Sequence, residues 1–76
     1  MKNITLDILP INMIGEVKEV RGKDNVKRRL LDLGLINGTK IKPVLISPSK
    51  DPRAFEFRGS LIAIRKEDAK KIEVEY

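Results

Sequence analysis

A chain of 76 residues has room for one small domain around a single core. A separate cofactor lobe or a deep substrate chamber is excluded, because a domain of this size buries only about 60% of its unfolded surface. Sixteen Lys and Arg against eleven Asp and Glu leave a net charge of +5, a mild basic balance with no charged tail, and the lack of cysteine and histidine removes disulfides, thiolate chemistry and every Cys/His zinc site.

The stretch Met1 to Pro10 is apolar but interrupted by Asp7. No small-residue cleavage site follows, so it reads as an opening strand and not as a signal peptide. No apolar run approaches the roughly 20 residues that cross a bilayer, and the expectation is a soluble chain. From Gly15 the order Gly-Glu-Val-Lys-Glu-Val-Arg-Gly sets Val17 and Val20 among charges between two glycines, which predicts a short strand with a turn at each end. The spacing of three between the valines calls for a bulge.

Val26, Leu30 and Leu33 then recur at i, i+4 and i+7, which predicts a helix over about 25–33 with that face on the core. Asp24 or Asn25 is placed to cap its start, and Gly34 to end it in the left-handed conformation with Leu35 folding back on Leu30. Asn37-Gly38 is a turn dipeptide. Beyond it Thr39 to Ile46 reads as a strand in which Pro43, lacking an N–H, needs an unpaired edge or a bulge. Pro48 to Pro52 is a loop. Phe55 and Phe57, then Gly59-Ser60, then Leu61 to Ile64 read as a hairpin with a tight reversal at Gly59-Ser60. A helical turn at about 66–71, with Glu67 and Asp68 early and Lys70 and Lys71 late, suits the helix dipole, and Ile72 and Val74 mark a last strand. Gly15, Gly34, Gly38 and Gly59 are thus all read as turn positions. About five short strands in so short a chain have to curl around one core, and a small, mostly β barrel with one inserted helix is the expected fold.

No motif for catalysis emerges. There is no phosphate-wrapping glycine loop, and Glu67 and Asp68, adjacent on a helical turn, diverge instead of converging on one bond. The remaining acids are scattered among lysines and arginines, a poor arrangement for an all-carboxylate iron site, so neither a metal site nor a cofactor is expected. The basic residues Lys27, Arg28 and Arg29, with Lys40, Lys42, Lys50 and Arg53, raise the reading of a nucleic-acid-binding barrel. Against it, Phe55 and Phe57 alternate as core residues and leave no platform on which bases could stack. What remains is a surface for another protein. Leu31 lies off the core face of the helix, and with Leu35, Ile36 and the loop residues Pro48, Asp51 and Pro52 it forms a candidate apolar groove, with Arg28 and Arg29 beside it.

Several segments carry a resemblance that covers nearly the whole chain. They are Gly15-Glu-Val17, Arg29-Leu-Leu-Asp-Leu-Gly-Leu35, Gly38-Thr39, the Pro48 to Pro52 loop, Arg58-Gly59, Leu61-Ile-Ala-Ile-Arg65, and Asp68-Ala69 with Ile72 and Val74. In these the chain resembles the FeoA family of ferrous iron transport proteins, although Lys50 stands where the family's loop usually has a glycine. The resemblance implies an SH3-like barrel, the fold also used by the C-terminal domains of metal-dependent repressors. It implies no catalysis and no cofactor, and a cytoplasmic role in bacterial ferrous iron uptake, at the inner face of the membrane through a partner, the FeoB permease. Neither nucleic acid nor more than weak self-association belongs to that picture. The alternatives are a basic barrel that binds nucleic acid and a regulatory peptide-binding module of the repressor type.

Overall fold

The computed structural model describes residues 2–46, 48 and 51–76, with Ile46 described by its backbone alone. In chain order the elements are β1 (Asn3–Thr5), a single 3-10 turn (Leu6–Ile8), β2 (Gly15–Val20), α1 (Asp24–Asp32), β3 (Lys40–Ile46), β4 (Arg53–Phe57), β5 (Ser60–Ile64), α2 (Lys66–Ala69) and β6 (Ile72–Glu75). The strands lie in the order β1-β6-β2-β3-β4-β5, every neighbouring pair antiparallel. This is the expected small, mostly β, SH3-like fold, with six strands where about five were expected. β1 lies in the Met1 to Pro10 stretch that reads as the opening strand, but it is only three residues long, pairing Asn3 with Glu75 and Thr5 with Glu73 before the 3-10 turn begins at Leu6.

The sheet curls at two irregularities. In β2 the pairing with β6 shifts between Val17 and Glu19, so one additional residue is absorbed and both valines reach the core, as their spacing required. In β3 the pairing with β4 shifts between Pro43 and Leu45, which accommodates the proline inside an interior strand. The core that results is built from alternate residues of the strands: Phe55 and Phe57 of β4, Ile72 and Val74 of β6, Val17 of β2 and Ile41 of β3, closed over by Leu6, Leu9, Leu30 and Leu35.

The helix ends as expected and begins otherwise. The N-cap is Lys23, with no side-chain cap bond, while the Asn25 Oδ1 accepts from the Val26 N–H at 2.8 Å. Asp24 and Asn25 are both already inside the first turn. At the other end the Leu35 N–H donates to the Leu30 carbonyl at 3.2 Å and the Gly34 N–H to that of Leu31 at 2.9 Å, the paired bonds of a Schellman stop, with Gly34 at φ +102° and Leu30 and Leu35 both buried. This stop alters the expected core face. Leu33 sits at the C-cap and is 41% exposed, whereas Leu35, carried back under the helix, is fully buried in its place. Gly34→Ala is expected to cost about 1–2 kcal/mol, the penalty of a Cβ in left-handed backbone, measured as a shift of the urea midpoint at unchanged m-value. A cost near zero would mean that the stop can re-form without positive φ.

Two turn assignments change. Gly15 is no turn residue: it opens β2, and a Cβ there would lie 3.0 Å from Leu9 Cδ2 and 3.2 Å from Val74 Cβ, so its role is to let two core side chains close over the strand. The hairpin reverses through Arg58 and Gly59, at φ +53° and +77°, and not at Gly59-Ser60, because Ser60 already pairs with Phe57. Arg58 thus occupies a left-handed position, one step earlier than the glycine alone suggested.

On the outer face of β2, the Lys18 Nζ donates to Glu16 at 2.7 Å, and the Arg21 Nε to Glu19 at 2.6 Å. These hydrogen bonds and the adjacent cations hold both carboxyls below the ordinary value of 4.5. Because the folded pKa values are the lower ones, the contribution of these pairs is complete above pH 4.5, where the unfolded carboxyls are ionised as well. It is lost as the pH falls through the folded values. Side-chain carboxyl titration by NMR should put Glu16 and Glu19 below 4.5, and a midpoint at or above that value for either would contradict the pairing.

Candidate functional site

The residues expected to form a partner-binding groove differ in their exposure. Leu31 and Ile36 are surface residues, 37% and 43% exposed, and Leu33 joins them. The last turn of α1 and the segment that follows Gly34 therefore present three aliphatic side chains to solvent. Leu35 is not among them. It is fully buried, because the Schellman stop turns the residue two after the C-cap inward, and it supports this surface from beneath. Leu33, which periodicity had assigned to the core, takes its place.

Arg28 is exposed on the same helix. Arg29 is not free, for its Nη2 donates to Asp68 Oδ2 at 2.9 Å and ties α1 to α2. This pair stands in the wall of a cleft of about 430 Å³ between α1 and the β5–α2 corner, lined by Arg29, Leu30, Leu33, Ala63, Ile64, Arg65, Glu67 and Asp68. Glu67 and Asp68 diverge there, as adjacent acids on one turn must: Asp68 faces Arg29, while Glu67 lies 4.0 Å from Arg65. Among the described residues no three acids gather into a metal-ligating group.

Pro48 and Pro52 are exposed, and so is Asp51, whose Oδ1 accepts the Lys66 N–H at 2.8 Å. That bond fastens the loop to the start of α2. Ser47, Ser49 and Lys50 lie outside the described residues, and with them falls the departure noted at Lys50. Two of the basic residues grouped with the helix cations are engaged elsewhere. Lys42 lies 3.7 Å from Glu56 across the strands. Arg53 is interior, 8% exposed, with its Nη1 donating to the Asp7 carbonyl at 2.6 Å and its Nη2 to the Leu9 carbonyl at 2.8 Å. Alternation puts Arg53 on the same inward row as Phe55 and Phe57, a place that a charged residue in the sequence does not announce. Burial pulls its pKa down, and the charge of Asp7 pulls it partly back. A second cavity, also of about 430 Å³, opens beside it between Asp7–Ile11 and Lys66. Neither cleft was visible in the sequence, because each is walled by elements distant along the chain.

Comparison with known proteins places this geometry. The FeoA domain family matches residues 4–76. A fused Fe(2+) transport protein A/Fe(2+) transporter FeoB protein of Porphyromonas gingivalis is 34% identical over 59 residues, which is 78% of this chain and 7% of that protein. The chain therefore corresponds to a small part of that relative. The NMR structure of a FeoA-like protein from Clostridium acetobutylicum superposes with a TM-score of 0.89 at 33% identity, covering 99% of this chain and 87% of that one. The crystal structure of Stenotrophomonas maltophilia FeoA complexed with zinc superposes at 0.83 with 28% identity, covering 95% and 89%. That protein is described as a prokaryotic SH3-domain protein and proposed as a ferrous iron transport activating factor. No helix among the described residues is long and apolar enough to cross a membrane.

Proposed function

The chain belongs to the FeoA family, a family of ferrous iron transport, and from that membership we propose that it is a non-enzymatic cytoplasmic accessory protein that binds FeoB and modulates its activity or assembly. The observation that carries this reading is the Porphyromonas gingivalis relative, in which a segment 34% identical to this chain is part of one polypeptide with FeoB. A fused pair of modules implies that the unfused pair works at the same place, since fusion only raises the effective concentration of a contact that is useful already.

The region that suits the role is the end of α1 and the segment after it, where Leu31, Leu33 and Ile36 are each exposed, as is Arg28. Exposed aliphatic residues with a flanking cation fit an amphipathic segment of a protein partner. A nucleic-acid ligand is disfavoured by the burial of Phe55 and Phe57, which leaves few aromatic faces for stacking bases. The test is co-purification of the tagged chain with FeoB from cells that express both, at about 150 mM salt, where interactions between exposed charges more than about 8 Å apart are largely screened. Recovery of FeoB supports the proposal. Its absence, with binding to DNA at about 50 mM salt that weakens steeply as salt rises, would replace it by the nucleic-acid reading.

A further inference from the structure

The cavity beside Arg53 plays no part in the reading above. Arg53 has five N–H donors, of which two go to the carbonyls of Asp7 and Leu9. Its Nε–H is buried without any partner, and among the described residues no carboxylate comes within ion-pair distance of it. Backbone carbonyls are dipoles and not counter-charges, so the interior holds a desolvated cation whose charge is left largely unmatched. The face of Phe55, with its ring centroid 5.6 Å from the guanidinium carbon, gives it partial support. Asp7 attracts it from beyond contact distance, its carboxylate engaged by the Thr5 hydroxyl.

The cavity next to this cation is about 430 Å³ in volume and takes Lys66 as a second positive wall, with Asp7 as the one acid. The rest of the lining includes Ile8 and Ile11, both exposed to solvent. A net positive concavity with aliphatic walls, lined by a guanidinium whose charge no carboxylate balances at contact distance, is complementary to one kind of ligand. The geometry points to a binding site for a carboxylate carried beside an aliphatic side chain on a peptide, the carboxylate set between Arg53 and Lys66 and the aliphatic group against Ile8 and Ile11. The site shares no residue with the aliphatic end of α1, so its test is independent of FeoB.

The test is an NMR titration of the isotopically labelled full chain with N-acetyl-leucine, with N-acetyl-glutamyl-leucinamide and with the neutral N-acetyl-leucinamide. At least one of the two acids should shift the Arg53 Nε–H signal and the amides of Ile8, Leu9 and Ile11 along a saturable curve, with the neutral compound weaker by about tenfold or more. If N-acetyl-leucine binds better, the natural group is a chain terminus; if the glutamyl compound does, it is an acidic side chain. Lys66→Ala, which keeps the backbone bond to Asp51, should weaken the better acid by about threefold. Because Arg53→Lys can disturb the fold through the lost carbonyl bonds, the decision rests on the unmodified chain. Equal shifts from the neutral amide, shifts centred elsewhere, or no saturable shift from either acid would overturn the assignment.

Discussion

Leu31→Glu is expected to abolish recovery of FeoB while leaving the domain folded. Leu31 is 37% exposed and is not one of the buried core residues, so the substitution is expected to cost about 1 kcal/mol, short of the values that unfold a domain. A few tenths more are lost because an acid near the C-terminal end of α1 opposes the helix dipole. A central aliphatic residue at a docking surface contributes more than that to binding: truncated hot-spot residues cost about 2 kcal/mol or more, which is about thirtyfold in affinity. Placing a charge there adds a desolvation penalty. Leu31→Lys separates the two causes, since a cation suits the dipole at that position; both variants should lose FeoB if the aliphatic contact is what matters. Loss with Glu alone would make the contact electrostatic, and retention by both would move the docking face away from α1. Cooperative melting with a midpoint within about 8 °C of that of the unmodified chain makes the comparison valid.

Phe55→Ala is expected to be the most destabilising single change in the chain. Phe55 is completely buried in β4, between the pairings to β3 and β5, and packs at the centre of the core with the Arg53 guanidinium over its ring. Removing a buried phenylalanine costs about 3–5 kcal/mol through lost transfer energy and the cavity left behind. At about 0.05–0.15 kcal/mol per residue the whole domain holds only some 4–11 kcal/mol, and for a domain of this length each kcal/mol moves the melting temperature by about 4–8 °C. A fall of at least about 12 °C follows, and partial unfolding at 37 °C is within range. Leu45→Ala, at a residue 63% exposed on the neighbouring strand, is the control and should shift the midpoint little. A cost for Phe55→Ala below about 2 kcal/mol would mean that the barrel collapses into the vacated space and that the core is less rigid than its burial implies.

Much of the fold follows from local rules. The valines three apart in β2 demanded a bulge, Pro43 demanded an irregularity in β3, and Gly34 after Leu33 demanded a left-handed stop. Each is an obligation of the backbone that a few neighbouring residues express completely. The candidate site was legible only in part. Periodicity put Leu33 on the core face, and the groove reading put Leu35 at the surface although its expected fold-back on Leu30 already pointed inward; the stop at Gly34 leaves Leu33 exposed and Leu35 buried. Gly15 looked like a turn residue because glycine usually is, whereas its role depends on Leu9 and Val74, one from a loop and one from the far end of the chain.

Composition and local pattern alone determined a small, β-rich fold with one main helix and without cysteine or histidine chemistry, since those properties depend on which residues are present and how they alternate. Tertiary structure decided which side chains are left for partners. It left Leu31, Leu33 and Ile36 each exposed, took Arg29 for Asp68, and drew Arg53 into the interior beside a cavity. The reason is that exposure is no property of a residue: it is what remains after strands far apart in the chain have closed over one another, and no local window contains that information.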